Sequence, residues 1–130
     1  MNVKIDTKEK FTVITPTEGT VSANMTGELA DLLLSNLNNA IPHVILNMKN
    51  VQRVADEVGE KIASLQQQFY EKNCSFVLCE LNEEVENLLE ETALLDGMNI
   101  TPTESEAWDI LQMEEVEREL LSDFDDAENN

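Results

Sequence analysis

The hydrophobic and polar positions of this chain follow two different periods. Short apolar runs bounded by polar residues are typical of strands, and they occur at 3–5, 11–15, 44–48, 75–80 and 99–100. Apolar residues at intervals of three and four predict helices at 25–41, 57–72, 83–96 and 107–121. The first two strands are joined by a short polar segment and form a hairpin. The later strands alternate with helices, which predicts a mixed sheet with a parallel centre.

Local signals indicate where the helices begin and end. Glu18–Asn24 contains small polar residues and is predicted to be a loop. Pro42 stops the first helix. Asn82 is a suitable N-cap for the third helix, and Gly97 is expected to end it. Thr103–Glu106 reads as a capping box, so the last helix is expected to begin there.

The segment 44–65 joins a buried strand to a helix through a short polar turn. Asp56 and Glu57 lie where that helix begins, and functional groups in open α/β sheets collect in crevices at the carboxyl ends of strands. Three interpretations are open. Asp56 is an N-cap with Glu57 in the first helical turn, or the pair contacts a partner or mimics a phosphate, or the pair acts as general acid and base. Catalysis is the least favoured, because no His or third partner lies nearby in the sequence.

This segment resembles the central motif of the STAS domain, the fold of bacterial anti-sigma factor antagonists. Members of that family typically read I-V-L-D-L-S-x-V-x-F-I-D-S-S-G-L-G-x-L. Here Ile45–Met48 matches the strand and Ile62 matches the helix core, while Asp56 and Glu57 fall on the paired serine or threonine positions. The resemblance extends, in the order and spacing of elements, over most of residues 1–112.

The resemblance implies that Glu57 occupies the position of the serine that a partner kinase phosphorylates in antagonists, where phosphorylation releases the partner. Glutamate has no hydroxyl to accept a phosphoryl group, and it supplies one negative charge where phosphoserine supplies about 1.5 to 2. Two acidic residues of the family motif are replaced here by Ala55 and, in the Gly19–Ser22 run, by Ser22. The implied phosphorylation switch is therefore absent or permanently set. The acidic residues around it also stand at other positions than in the family motif.

The net charge of the chain limits the classes of molecule that it is expected to bind. The formal net charge is −19: residues 1–103 carry 16 acidic and 7 basic residues, and residues 104–130 carry 11 and 1. Such a chain repels nucleic acid and anionic lipid, which need clustered Lys and Arg, and it can attract a basic protein. There is no apolar run of about 18 residues for a membrane span and no apolar core of a secretory signal, so we expect a cytoplasmic protein.

Residue types that often carry catalysis or metal binding are sparse. His43 has no partner at metal-binding spacing and is expected in a turn or on the surface. Cys74 and Cys79 are five residues apart along a predicted strand, so their side chains would point to opposite faces, as buried thiols in a reducing cytosol. No P-loop, dinucleotide-binding or nucleophile-elbow motif occurs. We therefore expect no enzymatic activity, no cofactor and no metal.

These observations together predict an α/β fold, a STAS domain with about five strands and four helices. It is expected to span residues 1–112, followed by a helical extension at 113–121 and an acidic disordered segment at 122–130. The residues expected to share one core are Leu46, Ile62, Val77 and Leu89.

The expected function is protein–protein contact in transcription regulation, as a partner-switching regulator similar to anti-sigma factor antagonists but without the usual phosphorylation site. The resemblance implies an anti-sigma factor or a kinase-like protein as partner, and we expect a monomer or weak dimer. The contact surface would comprise the 17–24 loop, the 52–57 turn and the exposed face of the 57–72 helix. Its candidate residues are Arg53, Asp56, Glu57, Glu60, Lys61 and Ser64, with Gln67 and Gln68 further along the helix.

Two alternative functions remain open. Folds that resemble STAS domains can hold nucleotides or lipids in the same region, which would make the chain a small-ligand module. The chain could instead be a self-associating structural protein, if one side of the last helix pairs with a second copy. That side is formed by Ile110, Met113, Val116 and Leu120, and packing on its own sheet is the simpler expectation.

Overall fold

Strands and helices alternate along the computed structural model much as the hydrophobic pattern predicts. The structure describes residues 1–91 and 99–129, with side chains as far as Ser122, so the predicted helix end at Gly97 lies outside the described residues. The strands are β1 (Val3–Thr7), β2 (Thr12–Pro16), β3 (Thr20–Val21), β4 (Val44–Asn47), β5 (Arg53–Val54), β6 (Phe76–Cys79) and β7 (Ile100–Thr101). The helices are α1 (Thr26–Leu37), α2 (Asp56–Glu71), α3 (Glu83–Glu91) and α4 (Glu104–Asn129), with a short 3-10 helix at Ala23–Met25.

Five of the strands form one mixed sheet in the order β1-β2-β4-β6-β7. β1 and β2 are antiparallel, with Val3 opposite Pro16 and Thr7 opposite Thr12. The β2–β4, β4–β6 and β6–β7 pairs are parallel. Parallel neighbours need long connections, and helices α1, α2 and α3 lie in these connections. The predicted hairpin and the mixed sheet with a parallel centre are both confirmed.

A second sheet, in which β3 pairs in parallel with β5, is missing from the sequence prediction. Thr20 lies opposite Arg53, and Val21 lies opposite Val54. Each of these strands has two residues, which is too short for an alternating pattern to be visible. β3 falls in the segment predicted as a loop, and β5 falls in the turn before α2.

Helix α1 ends at Leu37, four residues before the predicted end at Ile41. The side-chain amide of Asn36 donates a hydrogen bond to the carbonyl oxygen of Pro42 (3.1 Å). Asparagine side chains compete in this way with the backbone hydrogen bonds of a helix, and the residue before a proline is disfavoured in helical conformation. The helix therefore ends in the asparagine-rich turn rather than at the proline.

The predicted caps of α3 and α4 are confirmed. The Val85 N–H donates to Oδ1 of Asn82 (2.8 Å), and the Glu106 N–H donates to Oγ1 of Thr103 (3.2 Å).

Helix α4 continues without a break to Asn129, so the segment 122–129 that the sequence predicts to be disordered is helical. The chain has no glycine or proline after Pro102, and nothing in the sequence therefore forces this helix to stop.

The strands β2, β4 and β6 of the main sheet are buried on both faces, and each face has its own hydrophobic cluster. The first cluster includes Leu46, Ile62 and Leu89 and packs under α1, α2 and α3, whereas Ile45 and Val77 belong to a second cluster under α4. The prediction that Val77 shares the core of Leu46 is therefore wrong. A strand that is buried on both faces reads as a continuous apolar run, which does not reveal the face on which each residue lies.

The outer side of α4 also differs from the simpler expectation. Ile110 packs against the second cluster, but Met113, Val116 and Leu120 are 61%, 53% and 64% exposed. The apolar side chains of α4 that pack on the second cluster all come from its first two turns. A helix of 26 residues is about 39 Å long, and a strand of four residues spans about 13 Å, so α4 extends well beyond the sheet.

Leu46→Asp should abolish folding, because Leu46 is fully buried and an unpaired buried carboxylate costs several kcal/mol. The matched control is Ile5→Asp, since Ile5 is 53% exposed on β1. We expect the control to change the free energy of unfolding by less than about 1 kcal/mol. Both variants are measured by thermal melting followed by circular dichroism. If Leu46→Asp melts cooperatively at the wild-type Tm, Leu46 cannot be buried in the core as the structure shows.

The half-buried ring of His43 should make stability sensitive to pH. Its Nδ1 accepts a hydrogen bond from the Ser75 N–H (3.0 Å), and burial, together with the nearby charge of Arg118, lowers the pKa of His43 despite the opposing effect of Glu115. The unfolded chain then binds this proton at a higher pH than the folded protein does. Stability should therefore fall as the pH drops through about 6.5 towards the lower folded-state pKa.

Urea denaturation between pH 7.5 and pH 5.5 measures this effect, a range chosen to lie above the usual titration of carboxylates. His43→Gln keeps a polar side chain without an ionisable group, so its stability should change less over this range than that of the wild type. Equal pH dependence in the two proteins would show that His43 is not responsible.

Candidate partner-binding site

Two segments that are far apart in sequence meet where β3 pairs with β5. The carbonyl oxygen of Gly19 accepts hydrogen bonds from the N–H groups of Gln52 (2.7 Å) and Arg53 (3.2 Å). The carbonyl oxygen of Val21 accepts one from the Ala55 N–H (3.0 Å). These bonds join the 17–24 loop to the 52–57 turn at the start of α2. We call this region the β3–β5 corner.

Buried apolar side chains anchor the β3–β5 corner to the hydrophobic core. Val21, Val51 and Val58 are almost completely buried and belong to the first hydrophobic cluster. Gly59 lies close under α3, because a Cβ atom at this position would be 3.1 Å from Cδ2 of Leu89. The absence of a side chain there allows α2 and α3 to approach each other closely. The backbone of the corner is thus supported by the core, while its polar side chains face outwards.

Helix α2 begins one residue earlier than the N-cap interpretation requires. Ala55 is the N-cap, with extended backbone (φ −73°, ψ 154°), and no side chain makes a capping bond. Its carbonyl oxygen accepts from the N–H groups of Val58 and Gly59. Asp56 is therefore the first helical residue, and the prediction that it caps the helix is wrong. Asp56 and Glu57 both lie in the first turn, where the helix dipole favours negative charge.

The residues predicted from the sequence lie together on one exposed surface. Glu57, Glu60, Lys61 and Ser64 are spaced by three, one and three residues, so they share one side of α2. Arg53 stands three residues before the helix, on β5. Lys61 is half-buried, as is Gln68, while the other candidates and Gln67 are exposed.

The beginning of α3 also belongs to this surface, and the sequence interpretation does not include it. Nε of Arg53 lies 3.4 Å from Oε1 of Glu84, and the side-chain amide of Asn82 donates to the carbonyl oxygen of Gln52 (3.0 Å). The Arg53–Glu84 pair is exposed, so it contributes little to stability. The capping pattern identifies Asn82 in the sequence, but its second bond joins segments 30 residues apart and leaves no local signal.

A shallow cleft of about 350 Å³ lies between β5 and α3. Its lining residues are Arg53, Val54, Glu84, Asn87, Leu88 and Glu91. The lining carries two acidic residues and one basic residue. It provides no cluster of basic groups of the kind that holds a phosphate.

The described part of the chain has no group of three or more His, Cys, Asp or Glu side chains that could hold a metal ion. Burial raises the pKa of Cys79 to about 12, with Glu80 and Glu104 adding to the effect, so this thiol stays protonated. Cys74 precedes β6 and is only partly buried, which corrects the expectation that both thiols are buried within a strand. Burial raises its pKa too.

Among the described helices, none has the length and apolar character required to cross a membrane. The β3–β5 corner presents exposed charged and polar side chains on a backbone that the core supports. This arrangement suits contact with another molecule through charge and hydrogen bonding.

Comparison with known proteins agrees with this architecture. The family model described as the STAS domain matches residues 2–107. A putative anti-sigma factor antagonist from Thermotoga maritima has a TM-score of 0.76 at 18% identity, with 85% of this chain and 94% of that chain covered. An anti-sigma-factor antagonist (STAS) domain protein from Planctomyces limnophilus has a TM-score of 0.74 at 18% identity, with coverage of 85% and 97%.

Moorella thermoacetica RsbS with a serine-to-glutamate substitution has a TM-score of 0.72 at 20% identity, and 86% of this chain and 96% of that chain are covered. No curated protein matches the chain in sequence. At these identities the solved structures show a shared fold, while the family model covers most of the chain. The resemblance to the STAS domain is confirmed, and the chain belongs to the STAS domain family.

Proposed function

We propose that this chain is a non-enzymatic regulator similar to anti-sigma factor antagonists, which binds a protein partner through the β3–β5 corner without phosphorylation at position 57. The observation that carries the proposal is the corner itself. In this STAS domain, the segments of the predicted contact surface lie side by side, and Arg53, Asp56, Glu57 and Glu60 are exposed on them. The Thermotoga and Planctomyces structures, described as a putative and a named anti-sigma factor antagonist, support the class of function.

The exposure of the corner supports binding rather than catalysis. Asp56 and Glu57 are both exposed at the start of α2. Catalytic acids and bases are usually found in concave pockets, whereas this pair lies on an open surface. An exposed carboxylate at a helix start can instead accept hydrogen bonds or face a cation on a partner.

The negative charge at position 57 is carried by the glutamate side chain itself and does not require phosphorylation by a kinase. Glutamate offers no hydroxyl for phosphoryl transfer, and its single negative charge is smaller than that of phosphoserine. The Moorella RsbS structure, which carries a serine-to-glutamate substitution, has the same fold as this chain. We infer that the corner is held in one charge state.

The distribution of charge also suggests the chemistry of the partner. Asp56, Glu57 and Glu60 form an acidic edge, and Arg53 and Lys61 lie beside it. A partner with basic residues opposite the acidic edge and an acidic residue opposite Arg53 would be complementary. By analogy with the family, that partner is an anti-sigma factor or a kinase-like protein.

Glu57→Ser should change partner affinity without affecting the fold. The helix dipole makes Glu57 worth about 0.3–1 kcal/mol to stability, so the melting curve should be nearly unchanged. Partner affinity should change by about tenfold, or about 1.4 kcal/mol, if the charge acts across an interface. The partner is first recovered from the native cytosol with the full chain, identified by mass spectrometry, and then titrated by calorimetry.

Two further variants make this result specific. Glu57→Gln removes the charge while keeping the shape of the side chain, and it should match Glu57→Ser. Glu106→Ser removes an exposed acid from the first turn of α4, on the opposite face of the sheet, and should leave the affinity unchanged. Equal affinity of wild type, Glu57→Ser and Glu57→Gln would refute a binding role for this charge. A large loss of stability would assign Glu57 a structural role instead.

A further inference from the structure

Helix α4 carries a cluster of exposed apolar side chains that the fold does not use. Met113, Val116, Leu120 and Leu121 are 61%, 53%, 64% and 63% exposed. Four of the six large hydrophobic side chains that are exposed in the described part of the chain are therefore found within nine residues. Met113, Val116 and Leu120 follow each other at intervals of three and four, which places them along one stripe of the helix. We call these four residues the α4 ridge.

A groove runs beside the α4 ridge, between α4 and the loop that joins β1 to β2. It measures about 590 Å³, and Val116 belongs to both the ridge and the groove. The rings of Phe11 and Trp108 form an edge-to-face pair in its lining, with centroids 4.9 Å apart. The apolar side chains of the groove, Phe11, Trp108 and Val116, therefore adjoin the ridge, and charged side chains border them.

Both lysines that line this groove already form ion pairs within the chain. Nζ of Lys8 lies 2.9 Å from Oδ2 of Asp6 and 5.7 Å from the centroid of the Trp108 ring. Nζ of Lys10 lies 3.8 Å from Oε2 of Glu115. The groove lining also includes Glu9 and Glu119, so acidic residues outnumber basic ones. A small anion is therefore not the ligand that this groove favours.

The charge around the α4 ridge distinguishes between the possible occupants. Residues 104–122 include seven acidic residues and one basic residue, Arg118. Arg118 is half-buried and donates a hydrogen bond to Oγ of Ser75 (3.0 Å), and its single positive charge is outnumbered by the acidic residues of the rim. A second copy of this chain would bring the same acidic rim against the first, and like charges at an interface oppose association. A basic amphipathic segment fits both the apolar stripe and its rim.

We propose that the α4 ridge and the adjoining groove are a second protein-binding surface, which takes an amphipathic helical segment of a partner whose apolar stripe is flanked by Lys and Arg. This surface is independent of the β3–β5 corner. The corner rests on the cluster under α2, whereas α4 rests on the cluster of the opposite face of the sheet. The mode of recognition is a helix that lays its apolar side on a complementary surface.

The test uses the full chain and a fluorescent synthetic peptide with leucines at positions i, i+3, i+4 and i+7 and lysines at the others. Fluorescence anisotropy should show saturable binding that weakens as salt is raised, since exposed charges are screened. Val116→Ser and Leu120→Ser should each raise the Kd by about tenfold or more. Ile5→Ser is the matched control, because it removes a similarly exposed apolar side chain from β1 and should leave the Kd unchanged.

Further outcomes separate this proposal from its rivals. Two control peptides are compared with the first one: a peptide of the same composition with leucines and lysines in scrambled order, and a peptide with glutamates in place of the lysines. If either control binds with the same Kd as the original peptide, the proposal is overturned. Sedimentation that shows a dimer of the wild type but a monomer of Leu120→Ser would overturn it too, and would assign the ridge to a second copy. Glu57→Ser should bind the peptide like the wild type. A failure at the ridge is thus distinguishable from a failure at the corner.

Discussion

The rest of this structure depends on the burial of β4 and β6 on both faces of the sheet. The two strands are parallel and in register, with Ile45 beside Val77 and Leu46 beside Leu78, and all four side chains have no measurable exposure. This pairing directs one row of side chains towards α1, α2 and α3 and the other towards α4. Each row requires cover from water, because apolar burial is the dominant favourable term in folding. The two faces are therefore covered by different helices, and this separates the β3–β5 corner from the α4 ridge.

Polar groups at the carboxyl ends of the same two strands fix the direction of the chain as it leaves the sheet. The side-chain amide of Asn47 donates to Glu80 (3.2 Å) and to Glu104 (3.1 Å), and its oxygen accepts from the Lys49 N–H (2.9 Å). Asn47 is almost completely buried, so these bonds satisfy a side chain that would be costly to leave unpaired. They join the end of β4, the end of β6 and the start of α4. The turn that leads to β5 and α2 consequently begins from a fixed point.

Sequence patterns predicted most elements of the fold but less of the geometry of the site. Helix periodicity and caps such as Asn82 and Thr103 are local, and they identified the presence of α2, α3 and α4 and the starts of α3 and α4. The two-residue strands β3 and β5 depend on pairing between distant segments, which leaves no period in the sequence. The assignment of Val77 failed for a related reason, since a continuous apolar run does not show which residue faces which helix. Asp56 was misplaced because helix boundaries inferred from a pattern are uncertain by one or two residues.

A fixed charge at position 57 has a consequence for how the proposed binding could be regulated. In the partner switching implied by the family, phosphorylation of a serine alters the charge at the binding surface and releases the partner. A kinase cannot alter the charge of Glu57, so under the proposed function its contribution to partner affinity would be constant. Release would then depend on something outside the corner, such as the amount of the chain, a change in the partner, or a second contact. The α4 ridge lies on the opposite face of the sheet, where a second molecule could bind without competing directly for the corner. Coupling between two such sites would require the core between β4 and β6 to favour one arrangement over another.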